Sequence, residues 1–478
     1  MENKCQINQL RLRCREALNV FINVDGTSNA KNLINSFGLV SELGKDKKVE
    51  LRERNITEIN SFNWINWQSP SLFRTYVLNA CINTMGVSAE NGDMQKAIRF
   101  AYGDAELDKR TGNTGFTIEY GSPTGKFRTV VPIESVIDKN ADFNDASPIL
   151  VTGVDDQGRF SLDVNEKAKV PARIVKAPSW YNDKYQIDGQ DFYASKLVQW
   201  ENGVLMLSVP EKNGKQVCAY LGKEENACTF CGLEQGAYKP LTPEILVDIV
   251  RKDLEQSSQT SLTLTGGNTF DSNRGFEKYV PFVEALREEF GKRLPIQLEV
   301  SPPSDQGYLN WIVDQQLSFM ANIEVWEDSV REVLIPAKAK SIPREEYLET
   351  FKFLNRKGVD TYSVLITSLQ PFEDLVKGTK RLAEIGTSTV VLPFRPNGGV
   401  LSNYTPTRAT DLLTTSIASA EIMNTNGVFL DQRPKEYCSG CGGCGVDANL
   451  RDNPRLLKNN LFQEFKERNG AMYSGGIK

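Results

Sequence analysis

Residues 241–266 read LTPEILVDIVRKDLEQSSQTSLTLTG, an amphipathic helical pattern running into a strand pattern. Thr242 before Pro243 marks the helix start, with the threonine as N-cap and the proline at the first helical position. SLTLTG (261–266) is the strand, and outward from it the unit repeats. VLMLSV (204–209) precedes it; IQLEV (296–300), FMANIEV (319–325), TYSVLIT (361–367) and TVVLPF (389–394) follow. Between these strands lie FEKYVPFVEALREEF, IPREEYLETFKFLNRKG and FEDLVKGTKRLAEIG, with Gly358 and Gly386 where helices should stop. Strands apolar on both faces, each followed by a helix, indicate a parallel sheet wrapped by helices. Five such connections in roughly two hundred residues predict a partial (β/α)6 TIM-like barrel, because a complete eight-stranded barrel takes ~250 residues. Ligands of such sheets sit at the C-terminal strand ends.

The first two hundred residues have a different texture. A helical opening leads into turn-rich sequence such as GSPTGKFRTVVPIE and NDASPILVTGVDDQGRFSLDV, which predicts short antiparallel strands with hairpin turns such as Asp156-Gln157-Gly158. The expected organisation is a strand-rich α+β N-terminal domain over 1–185, the barrel over 186–425 and a cysteine-rich, cluster-binding segment over 426–478.

A chain of 478 residues can bury a large core and suits two domains better than one. Its net charge of −5 gives no electrostatic case for nucleic acid or an anionic membrane, leaving local basic patches open. The N-terminus lacks a signal-peptide pattern, and no run of eighteen apolar residues occurs, so a cytoplasmic protein with reduced thiols is expected. The chain has no histidine, which excludes Ser-His-Asp and Cys-His catalysis, His-ligated zinc and histidine general bases.

Six of the nine cysteines form two groups. Cys218, Cys228 and Cys231 stand in CAYLGKEENACTFC, a loop between the strand at 204–209 and the helix that opens at Pro243. Cys438, Cys441 and Cys444 form C-x2-C-x2-C in KEYCSGCGGCGVDANL. Soft thiolates select zinc, copper(I) or iron–sulfur clusters. Structural zinc wants four ligands, whereas three thiolates on a four-iron cluster leave one iron open. Glycines between the thiolates of the second group suit a 4Fe-4S cluster, a structural zinc knuckle being the alternative. Cys5, Cys14 and Cys81 lack cluster-like spacing and read as buried or unreactive thiols.

At these motifs the sequence resembles the radical S-adenosylmethionine (SAM) enzymes, which carry a three-cysteine loop after the first barrel strand and a glycine motif ending the second. Cys218, Cys228 and Cys231 match the loop, and Thr265-Gly266-Gly267-Asn268 falls at the glycine motif. The first interval holds nine residues where the commonest loop holds three, and Asn268 stands where many members carry glutamate. The stretches GNTGFTIEYG, LPIQLEVSPPSD, IEVWEDSVREVLIPAKA and VVLPFRPNGG, with the terminal cysteines, resemble the biotin-synthase-like members encoded in nitrilase-containing bacterial gene clusters.

The resemblance implies that Cys218, Cys228 and Cys231 hold a 4Fe-4S cluster chelated by SAM, with the glycine stretch turning carbonyls to its amino group. It implies reductive cleavage of SAM to a 5′-deoxyadenosyl radical, hydrogen abstraction from a small-molecule or peptide substrate, and a reductase such as flavodoxin or ferredoxin. A second, auxiliary 4Fe-4S cluster on Cys438, Cys441 and Cys444 would relay electrons, anchor substrate or donate sulfur.

Four charged residues at strand ends are further candidates. Glu299 and Glu324 end strands three and four, as SAM or substrate contacts or as water-facing cap or ion-pair partners. Arg331 and Arg395 could fork onto a carboxylate of SAM or substrate, or form surface ion pairs. Ser301, Pro302 and Pro303 fix an extended exit from strand three. Two rival classes are a non-radical iron–sulfur electron carrier or sensor and a zinc-stabilised binding protein.

Overall fold

A computed structural model describes residues 26–68, 71–89, 92–103, 115–122, 125–132, 145–201, 203–215, 218–221, 227–232, 238–257, 260–396, 398–428, 437, 441–447, 450 and 467. Cys5, Cys14 and Cys438 lie outside them.

The N-terminal part opens with helices α1 (Gly26–Phe37), α2 (Lys47–Ser61), α3 (Leu72–Met85) and α4 (Asp93–Tyr102). Its sheet is built from β1 (Ser88–Ala89), β2 (Gly115–Ser122), β3 (Gly125–Pro132), β4 (Ile149–Thr152), β5 (Arg159–Val164) and β6 (Lys169–Ile174), in the order β1-β4-β5-β6-β2-β3. Every pairing is antiparallel except β1 with β4. The expected turn joins β4 to β5: the Asp155 carboxylate accepts from the Gln157 N–H at 2.9 Å, and Gly158 takes φ +71°. A separate hairpin of β7 (Lys184–Ile187) and β8 (Gln190–Tyr193) follows.

The second sheet runs β9 (Gln199–Glu201), β10 (Val204–Ser208), β11 (Ser261–Thr265), β12 (Ile296–Glu299), β13 (Ser318–Met320), β14 (Thr361–Thr367) and β15 (Ser388–Pro393), neighbours in that order. The six strands β10–β15 are all parallel, with β9 added antiparallel at the edge. This is the curled half-barrel sheet of a partial TIM-like fold. Its connecting helices are α5 (Pro243–Gln256), α6 (Val280–Phe290), α7 (Gln306–Asp314), α8 (Asp328–Leu334), α9 (Pro336–Ser341), α10 (Arg344–Arg356), α11 (Phe372–Glu384) and α12 (Ala409–Thr425). Helix α5 starts as read: the Thr242 hydroxyl accepts from the Ile245 N–H, and Pro243 is the first helical residue. It buries Leu246, Ile249 and Val250 against the sheet, each worth about 1.5–3 kcal/mol relative to exposure.

The strands alternate in character more than their sequences suggest. Leu262, Leu264, Ile296 and Leu298 join the main core, while the alternate positions carry Thr263, Gln297 and Ser318. These polar groups satisfy one another: Gln297 Nε2 donates to Ser318 Oγ at 3.3 Å, and Thr263 donates to Gln297 Oε1 at 3.4 Å. Beyond them, Met320, Tyr362, Val364 and Val390 form a separate apolar cluster.

The N-terminal part packs on both ends of this open sheet. Strand β2 lies against β9, and α3 packs against α12 beside β15. Trp180, in the linker, donates its indole N–H to the buried Asp253 of α5 at 2.9 Å. On the other side the Arg395 guanidinium, just past β15, reaches Asn83 of α3 at 2.9 and 3.0 Å.

Candidate active site at the C-terminal strand ends

The cysteine loop leaves the C-terminal end of β10 and is tied down by backbone hydrogen bonds. The Ala219 N–H donates to Asn268 O at 2.7 Å, which joins the loop to the glycine stretch after β11. The Cys228 N–H donates to Tyr220 O at 3.0 Å and the Cys231 N–H to Cys228 O at 3.2 Å. Between them, the Thr229 N–H and hydroxyl both donate to Leu334 O, at 2.9 and 3.0 Å. The loop after β15 closes over the same turn, with the Leu401 N–H on Thr229 O at 3.0 Å. Gly398 and Gly399 permit that approach. A Cβ on Gly399, whose φ is +67°, would overlap the Thr229 carbonyl oxygen, and one on Gly398 would overlap Gly232 Cα.

Cys218 and Cys228 are buried and Cys231 is partly exposed. Burial pushes the Cys228 thiol well up, Glu324 adds to that, Lys338 opposes it, and Cys231 and Cys218 lie close enough to raise it further. Among the described residues, no group of three cysteine, aspartate or glutamate side chains converges closely enough to hold a metal ion. The donor chemistry nevertheless fits an iron–sulfur cluster, being three soft thiols, two of them on a glycine-clamped turn, without histidine.

The glycine stretch sits where strands two and one end together. A Cβ on Gly266 would stand 2.8 Å from the Tyr279 hydroxyl and 3.1 Å from Val209 O, so a bare backbone is required. Thr265 O accepts from the Val209 N–H at 2.8 Å, Gly267 O from Lys278 Nζ at 2.8 Å and Asn268 O from Ala219. Those carbonyls are engaged within the chain.

Glu299 and Glu324 come together at the ends of β12 and β13, and Lys338 joins them. Asn322 Nδ2 donates to Glu299 Oε1 at 2.8 Å. Lys338 Nζ stands 3.0 Å from Glu324 Oε1 and donates to Asn322 O at 2.9 Å. Burial raises the Glu299 carboxyl, against Asn322, and Glu324 adds to the rise. Burial would lower the Lys338 ammonium, but Glu324, Tyr347 and Cys228 together carry it above its ordinary value. Lys338 stands in IEVWEDSVREVLIPAKA with nothing local to mark it; a lysine in a short helix reads as solvated surface.

The arginines take other partners. Arg331 is 1% exposed, donates to Ile323 O at 2.9 Å and Ile342 O at 3.1 Å, and lies over the Tyr347 ring. Those contacts pin the turn after β13 to the end of α9. Arg395, besides Asn83, reaches Cys444 O at 3.4 Å. Arg274, which follows the glycine stretch, ties three loops together: it donates to Pro302 O at 2.7 Å, Ser304 Oγ at 2.8 Å, Ser341 O at 3.2 Å and Glu346 at 2.9 Å.

The described part of the second cysteine group enters the barrel gap. Cys441 packs on Val204 and Met206 of β10, and the Gly443 N–H donates to its sulfur at 3.3 Å. Burial raises the Cys444 thiol, with Glu201, Cys441 and Glu299 adding and Arg395 opposing. Asp447 Oδ2 accepts from the Val391 N–H at 2.8 Å and so covers the edge of β15. Cys81 is buried in α3.

No protein-family profile matches this chain, and no curated protein matches it in sequence. Among solved structures it is similar to a radical SAM methyltransferase from Sphaerobacter thermophilus, at 14% identity, covering 62% of this chain and 81% of that one, with a TM-score of 0.34. It is similar also to Streptococcus suis SuiB bound to the precursor peptide SuiA, at 14% identity, covering 48% of this chain and 46% of that one, with a TM-score of 0.32. The SuiB structure bound to S-adenosylmethionine gives 11% identity, 48% and 44% coverage and a TM-score of 0.31. The chain thus spans just under half the length of SuiB. No helix among the described residues is long and apolar enough to cross a membrane.

Proposed function

We propose that this chain is a radical SAM enzyme, related to the biotin-synthase-like members of nitrilase-containing gene clusters. The observation that carries the reading is the clamped cysteine turn, in which Cys228 and Cys231 are held from one side by Leu334 O and from the other by the loop at Gly398–Leu401. Cys218, Cys228 and Cys231 would hold a 4Fe-4S cluster, and Thr265–Asn268, Glu299, Glu324, Arg331 and Arg395 would shape the SAM and substrate cavity. SAM bound there would, on one-electron reduction, release methionine and supply a 5′-deoxyadenosyl radical able to take hydrogen from a substrate.

The chain's own residues hold and exclude. Lys338 and Glu324 set the charge beside Cys228, and Arg274 holds the loops after β11 and β12 against α10. Cys438, Cys441 and Cys444 would hold an auxiliary 4Fe-4S cluster, and a cytoplasmic flavodoxin or ferredoxin would supply electrons.

Anaerobic reconstitution with iron and sulfide analysis tests the assignment. About eight irons per chain, with SAM converted to 5′-deoxyadenosine after reduction, is expected. Tightly bound zinc without SAM turnover would contradict it and favour a binding protein.

A further inference from the structure

Lys338 lies one helical turn beyond Leu334, whose carbonyl holds the cysteine turn. Its ammonium is buried, and a buried charge is retained only when paired and hydrogen-bonded. Glu324 supplies the pair at 3.0 Å and Asn322 O the hydrogen bond at 2.9 Å. Glu324 is itself held in an unfavourable conformation, φ +68°, by bonds from its N–H to Val364 O and from the Ile366 N–H to its carbonyl, both 2.8 Å. Such strain persists only where the surroundings over-determine it.

The backbone ties the Lys338 segment to the cysteine turn, and Glu324 joins it through the ion pair. Thr229, next to Cys228, is hydrogen-bonded twice to Leu334 O at the end of α8, and Lys338 lies one turn further on, in α9. We propose that Lys338 and Glu324 set the reduction potential of an iron–sulfur cluster held by Cys218, Cys228 and Cys231, the ammonium raising it and the carboxylate lowering it. The inference rests on the proposed function for the existence of that cluster. Its physics is Coulombic: one-electron reduction adds a negative charge at the cluster, which a nearby buried cation favours and a nearby anion opposes. Tyr347, Tyr220, Glu299 and Cys228 are titratable groups that also face the pair.

The test is an EPR-monitored redox titration with dithionite on reconstituted protein without SAM, comparing wild type with Lys338→Met, Glu324→Gln and Lys338→Arg. Lys338→Met is expected to lower the potential and Glu324→Gln to raise it, each by at least a tenfold change in the one-electron equilibrium, about 59 mV. Lys338→Arg keeps the wild-type value. A purely structural pair would move both variants in one direction or neither, and that result, at wild-type iron content, overturns the inference. Should Lys338→Met fail to load iron, Glu324→Gln decides alone: a rise supports the inference and an unchanged or lower potential overturns it. Wild-type protein that takes up no iron overturns the proposed function instead.

Discussion

Gly399→Ala separates the cysteine turn from general stability. Gly399 has φ +67°, where a side chain costs roughly 1–2 kcal/mol. Gly358, at φ +80° with nothing within 4 Å of its Cβ position, bears that cost alone and is the control. On Gly399 the added carbon would also stand 2.7 Å from the Thr229 carbonyl carbon and 3.3 Å from the Phe230 nitrogen, both backbone atoms that cannot swing aside. Overpacking of this kind adds about 1–3 kcal/mol. Gly399→Ala should therefore cost about 2–5 kcal/mol, against about 1–2 for Gly358→Ala. The displaced atoms lie between Cys228 and Cys231, so the damage falls on metal uptake. Urea denaturation of the metal-free forms reads the first difference. Iron analysis after reconstitution reads the second, where Gly399→Ala should lose about half of about eight irons and Gly358→Ala none. A Gly399→Ala protein that unfolds with the control and loads iron fully would refute the close-approach argument.

Further outcomes follow from the same geometry. Arg274→Ala removes a buried guanidinium bonded to Pro302 O, Ser304, Ser341 O and Glu346, and should lower the urea-derived stability by about 3 kcal/mol. Asp447 is buried and burial pushes its carboxyl from the ordinary 3.8 up to about 7. The folded chain therefore binds that proton more tightly than the unfolded chain, and stability falls as pH rises from about 4 to about 7. Asp447→Asn should flatten that slope in denaturation profiles taken across the window. Replacing Cys441 and Cys444 together with alanine should reduce the iron content from about eight to about four per chain without removing SAM turnover to 5′-deoxyadenosine.

The barrel was legible because its strands are short, β-branched and punctuated by helices with clear starts and stops. TYSVLIT became β14 residue for residue, and Gly358 and Gly386 lie just past α10 and α11. FMANIEV did not hold as one strand: regular pairing ends at Met320, and Glu324, at positive φ, returns only as an isolated bridge to Leu365. The apolar run around Glu324 does not reveal its ion-pair partner, since Lys338 reaches it through a turn and a second helix. Arg331 was read as a carboxylate ligand or a surface ion pair, whereas its described hydrogen bonds go to two backbone carbonyls. Burial of that kind is set by tertiary packing and leaves no local pattern. The parallel pairing of β1 with β4 and the entry of residues 441–447 into the barrel gap depend likewise on long-range contacts that no periodicity encodes.

The most direct test of the central claim is the EPR spectrum of anaerobically reconstituted, reduced protein before and after SAM is added. SAM binding at an open iron of a cluster held by Cys218, Cys228 and Cys231 predicts a changed reduced-state signal that is lost when all three are alanine. A signal indifferent to SAM, or SAM turnover that survives the triple substitution, would contradict the account.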